Sequence, residues 1–341
     1  MRKLPSGVVY LLLAICCLLL AIPSYGQWAK VGTAGAKFLH IGVGGRPVGM
    51  GEAFNAVCDD ASSVYWNPAG AARVKGQDVL LDETRWFAGI AYHSGAFVKN
   101  FGPLGNFGLF FSLFNSGAIP LTTYEQYEGT GETFAYQGMQ VGINYSNFYT
   151  DKFAAGINIK YVTEDYGVTD PLLSKEIAIS TLSLDLGTFY WTGFKSLRIG
   201  MSILHFAPDV TPPGLYSSFS DDRTRPFEDS LKFDPYPFPM IFRFGIAMEV
   251  LETESSKLTL AVDALHPNDN VERVNWGLEF NMRDMLFARL GYKMNYDTEG
   301  LTAGIGFAYP LGENMSIAVD YAFADFQYLT DVHRFTMGLK F

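Results

Sequence analysis

The sequence predicts an all-β protein: a transmembrane antiparallel β-barrel of about fourteen strands, with an N-terminal segment packed inside it as a hatch. Three observations lead there. Apolar residues recur with period two from near residue 77 onward, the links between the resulting strands alternate short and long, and the alternation runs to a terminal aromatic residue, Phe341.

The elements follow in chain order. Residues 1–26, MRKLPSGVVYLLLAICCLLLAIPSYG, read as a secretory signal: Arg2 and Lys3 precede an apolar run from Val8 to Ile22, and Pro23, Ser24 and Gly26 lead to a cut before Gln27. The run is shorter than the roughly 20 residues that a membrane-spanning helix needs. Bulky Ile15, and an apolar run that continues past Cys16 and Cys17, speak against a lipid-attachment site there. Losing the signal removes two basic residues and no acidic one, so the exported chain is more acidic than the formal −10 of the whole sequence. Such a chain lacks the basic footprint of a nucleic-acid binder. Of three cysteines only Cys58 remains, so no intramolecular disulfide forms, and Cys58 reads as a small buried residue.

Residues 27–76 form the hatch. Its run GVGGRPVGMGEAF places Gly42, Gly44, Gly49 and Gly51 as densely as a phosphate-binding loop would. Neither register completes Gly-x-Gly-x-x-Gly, because the sixth positions are Pro47 and Phe54, and no Gly-Lys-Ser/Thr follows. Dense glycines instead let a backbone pass close to the inward side chains of a surrounding wall. Asp59 or Asp60 is placed to cap a short helix over Ala61–Trp66, and Asn67 ahead of Pro68 turns the chain.

Residues 77–341 form the barrel. In the last strand Phe335, Met337, Leu339 and Phe341 alternate with Arg334, Thr336, Gly338 and Lys340, and the same two-faced pattern recurs upstream. Strands are centred near Leu81, Tyr92, Phe110, Val141, Ile157, Leu184, Ile199, Phe244, Leu260, Leu278, Leu290, Ile305, Val319 and Met337. Short links fall at 102–105, 150–152, 192–196, 252–256, 281–285 and 310–314, and the longer ones include 116–134 and 207–240. Links sorted in this way, with an even strand number, put both termini in the periplasm of a Gram-negative outer membrane. A soluble sandwich has no reason to sort its loops.

The hatch also carries a family resemblance. Ile41-Gly42-Val43-Gly44, Arg46, Gly49-Met50-Gly51, Asp59-Asp60-Ala61-Ser62 and Tyr65-Trp66-Asn67-Pro68-Ala69-Gly70 together resemble the start of the PorV/PorQ-type outer-membrane proteins. The Asp-Asp-Ala and Asn-Pro-Ala elements are similar, more distantly, to the hatch of FadL-type long-chain fatty-acid transporters. Both resemblances imply a fourteen-stranded barrel. The first implies a component of the type IX secretion system that receives cargo carrying C-terminal sorting domains and passes it to a surface attachment complex. The second implies uptake of hydrophobic compounds. A terminal aromatic on an amphipathic strand resembles the signal read by the barrel-insertion machinery, which implies that role for Phe341.

No enzyme chemistry is expected, and no catalytic residue, cofactor or metal. The five histidines are far apart and fit no metal-ligand spacing. His93 and Ser94, adjacent on a strand, face opposite ways and cannot share a proton. Inward Asp185, Asp263, Glu279 and Asp320 are interleaved along the chain with Lys160, Arg198, Arg243, Arg289 and Lys293, which reads as a charge-paired barrel interior. Inward positions that are charged, small or hydroxylated favour secretion over hydrophobic uptake. The loop from Ala207 to Met240 adds a candidate partner-binding surface in Pro212, Tyr216, Phe219, Phe227, Phe233, Tyr236 and Phe238, or a lid folded over the mouth. The expected partners are outer-membrane lipid, secreted cargo and other secretion components, or hydrophobic small molecules on the second reading, and no nucleic acid.

Overall fold

Fourteen antiparallel strands close into one barrel. They are β1 (Gln77–Arg85), β2 (Ala91–Asn100), β3 (Asn106–Asn115), β4 (Gln137–Thr150), β5 (Phe153–Asp170), β6 (Lys175–Trp191), β7 (Arg198–Phe206), β8 (Ile241–Glu252), β9 (Ser256–Pro267), β10 (Arg273–Met282), β11 (Leu286–Met294), β12 (Leu301–Pro310), β13 (Ser316–Ala324) and β14 (Val332–Lys340). Each predicted strand centre falls in a strand of its own. This computed structural model describes residues 30–123, 125–170, 175–217, 230–312 and 315–341; the signal segment 1–26 lies outside the described residues.

Each strand pairs with its sequence neighbours, and the barrel closes where β1 meets β14 in the register Asp78↔Lys340 to Arg85↔His333. Phe341 completes the seam: its backbone oxygen accepts from the Gln77 amide at 2.7 Å and its amide donates back at 2.9 Å. Closure leaves no unpaired edge, which a lipid environment requires.

The period-two pattern becomes two faces. Leu109, Ile143, Leu186, Phe244, Ile305 and Met337 are exposed on the outer wall, as lipid contact demands. Phe101, Tyr149, Tyr190, Phe194 and Tyr309 are exposed at the end bearing the short turns and form an interfacial aromatic belt there. Short turns mark the periplasmic end and long loops the external one. Two of the long loops carry small ladders of their own, Ile119–Pro120 with Thr133–Phe134 and Leu215–Ser217 with Ser230–Lys232. Among the described residues no helix is long and apolar enough to cross a membrane.

Candidate functional site

Residues 36–74 are mostly buried against the inner faces of the strands. Their contacts run from one end of the barrel to the other, with residues 35–40 at the external end. This corrects the expectation that both termini are periplasmic: only the ends of the barrel itself, Gln77 and Phe341, lie at the short-turn end. At the external end the Gly35 amide donates to the Pro237 carbonyl at 3.2 Å, the Ala36 amide to Glu164 at 3.0 Å, His40 bonds the Pro239 carbonyl at 2.7 Å, and Lys37 pairs with Asp269. At the periplasmic end Asn106 donates to the Ala71 and Val74 carbonyls at 2.6 and 2.9 Å, and the Asn100 amide donates to Gly76.

Between these ends the backbone of the segment meets the wall directly. Gly51 has φ +64°, and a Cβ there would lie 2.7 Å from the Trp276 carbonyl oxygen and 2.9 Å from the Tyr292 amide, so only glycine fits both the conformation and the space. Gly42, Gly44 and Gly49 are buried in the same stretch, around the helical turn Gly45–Gly49. Asn67 is extended at φ −150°, as its place before Pro68 predicts. Its Oδ1 accepts from Ala69, and its Nδ2 donates to the carbonyls of Asn55 and of Thr188 in β6, both at 3.0 Å. The carbonyl of Pro68 accepts from Asn144 of β4 at 3.3 Å. The helix expected over Ala61–Trp66 is shorter, Ser63–Trp66, and the Ser62 side chain does not cap it but donates back to Asp60. Asp60 accepts from the Ser62 amide just ahead of it, whereas Asp59 faces arginines.

The strand pairing expected for the interior charges is only half the arrangement. Lys160 does pair with Asp185 at 2.7 Å, and Arg289 with Glu279 at 2.7 Å and Asp320 at 2.5 Å. The rest reach into the segment. Arg46 bonds Glu279 through two nitrogens at 2.8 and 2.9 Å and also Asp59 at 2.5 Å and Asp60 at 2.9 Å. Lys293 pairs with Glu52 at 2.8 Å, Arg198 donates to the Ala56 carbonyl at 2.8 Å, and Asp263 accepts from the Phe54 and Asn55 amides. Burial acts to raise the Asp59 carboxyl, but Arg46 and Arg73 outweigh it and hold the group well below the usual carboxylate range. Burial, aided by the charge of Lys37, lowers His40 to about 4.

The lumen is not charged all round. The charged inward positions lie on β1, β5–β11, β13 and β14, while the inner faces of the consecutive strands β2, β3 and β4 carry no charged side chain. Tyr92, Ala96, Val98 and Phe110 point inward there and, with Leu80 of β1, pack in one buried apolar cluster with Phe38, Val43, Val64, Val74 and Phe238. The cluster therefore extends from residues of the external mouth to residues of the periplasmic end. Adjacent apolar pairs such as Leu80-Leu81, Phe97-Val98 and Phe110-Phe111 were the sequence signal for it, because they leave both faces of a strand greasy.

The loop residues divide. Phe219 and Phe227 lie outside the described residues, as does the side chain of Tyr216. Pro212 and Phe233 are half-buried. Tyr236 bonds Tyr166 at 2.8 Å and Glu164 at 3.3 Å, and Phe238 is 2 % exposed, within the apolar cluster. These last two residues face the interior segment, so the lid arrangement describes them better than an outward platform. Ser94 is buried and bonded to Ser112, and Cys58 is buried beside the Phe54 carbonyl. No group of three or more potential metal ligands occurs among the described residues.

A model of one family, the Uncharacterised protein family (UPF0164), matches residues 20–165, which take in the interior segment and the strands that follow it as far as β5. No curated protein matches the chain by sequence. Solved structures do match by fold. The CymD monoaromatic hydrocarbon channel is 13 % identical with TM-score 0.55, covering 88 % of this chain and 97 % of its own. The toluene transporter TbuX of Ralstonia pickettii is 13 % identical with TM-score 0.53, at 88 % and 98 % coverage. A FadL homologue of Pseudomonas aeruginosa is 11 % identical with TM-score 0.53, at 86 % and 96 %. The fold is that of the FadL-like outer-membrane channels. A FadL-like barrel with an apolar outer band belongs in a Gram-negative outer membrane.

Proposed function

We propose that the protein is an outer-membrane passage for hydrophobic small molecules, with residues 35–74 as its hatch. The observation that carries this reading is the apolar cluster between the segment and the β1–β3 wall. An apolar compound entering from the external mouth meets Phe38, Phe238 and Tyr92 first and can follow Phe110, Ala96 and Val98 toward the periplasm, replacing one greasy contact by another. The charged side of the lumen would then hold the segment in place. Structures of similar fold include channels for monoaromatic hydrocarbons and for toluene, which supports the same reading.

A part in type IX secretion is supported by the resemblance of residues 38–70 to PorV/PorQ-type proteins. The inward packing of Tyr236 and Phe238 removes two of the residues expected to meet cargo. A paired measurement separates the readings: uptake of labelled toluene and oleate by cells with and without the protein, and recovery of surface proteins that co-purify with it. Uptake that depends on the protein, and that Asn67→Ala with Pro68→Ala alters, supports passage. Co-purified exported cargo with unchanged uptake supports secretion.

A further inference from the structure

The outer wall carries a groove of its own. On the lipid side of β2–β5 lies an open cleft of about 650 Å³ with Gly108 and Asn144 at its floor, within the range of about 300–1,000 Å³ that holds a small-molecule ligand. Phe97, Leu109, Ile143 and Ile159 stand opposite one another in a single row across the four strands and flank the cleft toward the membrane centre. Lys99 and Tyr145 belong to the next row toward the periplasm, and Phe101 of the aromatic belt closes the lower end.

The cleft has the depth of one leaflet. Phe97 and Phe101 are four residues apart, about 13 Å along the chain and about 10 Å along the membrane normal at the usual strand tilt. That is close to half of the roughly 25 Å apolar band of such a barrel. A membrane-spanning helix of a protein partner would run the whole band; a lipid tail would not.

Lys99 selects the occupant. Its side chain points outward and is half-buried, with Nζ 5.3 Å from the centre of the Phe101 ring. In the periplasmic half of the barrel it is the one basic residue at an outward strand position among the described residues. Its cross-strand neighbours Gln77 and Phe107 are neutral, and it makes no ion pair among the described residues. A lysine so placed lays its stem on the apolar surface and holds its ammonium at the level of the lipid head groups.

We infer that the groove binds one anionic glycerophospholipid of the periplasmic leaflet, with an acyl chain along Phe97, Leu109, Ile143 and Ile159 and the phosphate beside the Lys99 ammonium. The cleft and the unpaired cation match the two halves of such a lipid. The site is on the outside of the barrel and does not depend on what passes through it.

The test places the purified full-length barrel in vesicles of phosphatidylethanolamine that contain a trace of phosphatidylglycerol with a photoreactive diazirine midway along one acyl chain, and maps the labelled peptides after illumination. A phosphatidylethanolamine probe with the same chain is the control for charge. The phosphatidylglycerol label concentrates in peptides 97–109 and 143–159 over peptide 276–292 of another part of the wall, and excess unlabelled phosphatidylglycerol removes the difference. Lys99→Gln lowers the preference for phosphatidylglycerol by about fivefold, the worth of one basic residue beside anionic lipid, and Lys99→Arg keeps it. The comparison of the two probes on the native protein needs no variant, and the heat-modifiable gel band shows that each variant is folded. Even labelling around the wall, equal enrichment of the two probes, a preference unchanged in Lys99→Gln, or exclusion of both probes from the two peptides by a second copy of the barrel overturns the proposal.

Discussion

Replacing Gly277 by alanine tests whether the interior segment is docked by backbone contact. Gly277 faces inward on β10, and a Cβ there would lie 2.5 Å from the Met50 carbonyl oxygen and 3.1 Å from the Cβ atoms of Ala53 and Met50. No flexible side-chain end stands in the way, so the segment around Met50 must retreat by roughly an ångström, an overpacking cost of about 1–3 kcal/mol. The strand is formed whether or not the segment is docked, so the chain entropy of glycine cancels, and the loss of about 1–3 kcal/mol is a factor of about 5–150 in the docked population. It falls on the segment, because the ladder of β10 with β9 and β11 is untouched. Hydrogen exchange of peptides covering residues 47–57 reads it directly, with the heat-modifiable gel band as a check that the barrel is intact. Gly338→Ala is the matched control, since its nearest neighbour would be Ala318 Cβ at an ordinary 3.6 Å. Unchanged exchange in Gly277→Ala, or equal acceleration in Gly338→Ala, refutes the reasoning.

Four further outcomes follow from the same contacts. Arg46→Gln removes one of the two buried arginines that hold Glu279, takes the ion-pair partner from Asp60 and leaves Asp59 with Arg73 alone; a loss toward the lower end of about 3–5 kcal/mol should make residues 40–60 open to protease in a barrel that still runs folded. His40 should make docking of residues 35–43 pH-dependent: its folded value of about 4 lies below the ordinary 6.5, so its contribution is complete above 6.5 and declines as pH falls toward 4, and intrinsic-rate-corrected exchange that is flat from pH 7 to 5 would contradict this. Val31, 63 % exposed just before the contacts with Pro237 and Pro239, should accept an impermeant maleimide on intact cells once changed to Val31→Cys, with buried Cys58 silent; labelling only after the outer membrane is broken would invert the orientation. Deleting Phe341 removes both closing bonds to Gln77 and should lower the amount of inserted barrel while export past the inner membrane continues; unchanged insertion would show that the terminal strand is not read.

The barrel was legible because lipid and the lumen impose opposite demands on alternate residues, and fourteen centres could be placed from that alternation alone. The segment was legible in its glycines and in the Asn67-Pro68 turn, which are local signals. What its charges bond to was not legible. Arg46 and Glu279 are 233 positions apart, and no periodicity reports a contact between a loop and a wall that closes around it. The apolar side of the lumen was hidden for a different reason. Inward charge is the conspicuous signal and it sits on β1 and from β5 onward, whereas the uncharged inner faces of β2–β4 show only adjacent apolar pairs, which do not say which residue of the pair faces inward. Tyr236 and Phe238 were visible as aromatics in a proline-rich loop, but whether such a loop faces out or folds in depends on what lies beneath it, here Gly35, Ala36 and Phe38.

The central claim is that the lumen admits apolar compounds while residues 35–74 keep it from being a water-filled pore. Permeability of intact cells to labelled toluene and to a small hydrophilic antibiotic, with and without the protein, tests both halves at once. Toluene should enter faster with the protein present, and entry of the antibiotic should be unchanged. Faster antibiotic entry with no gain for toluene would contradict it.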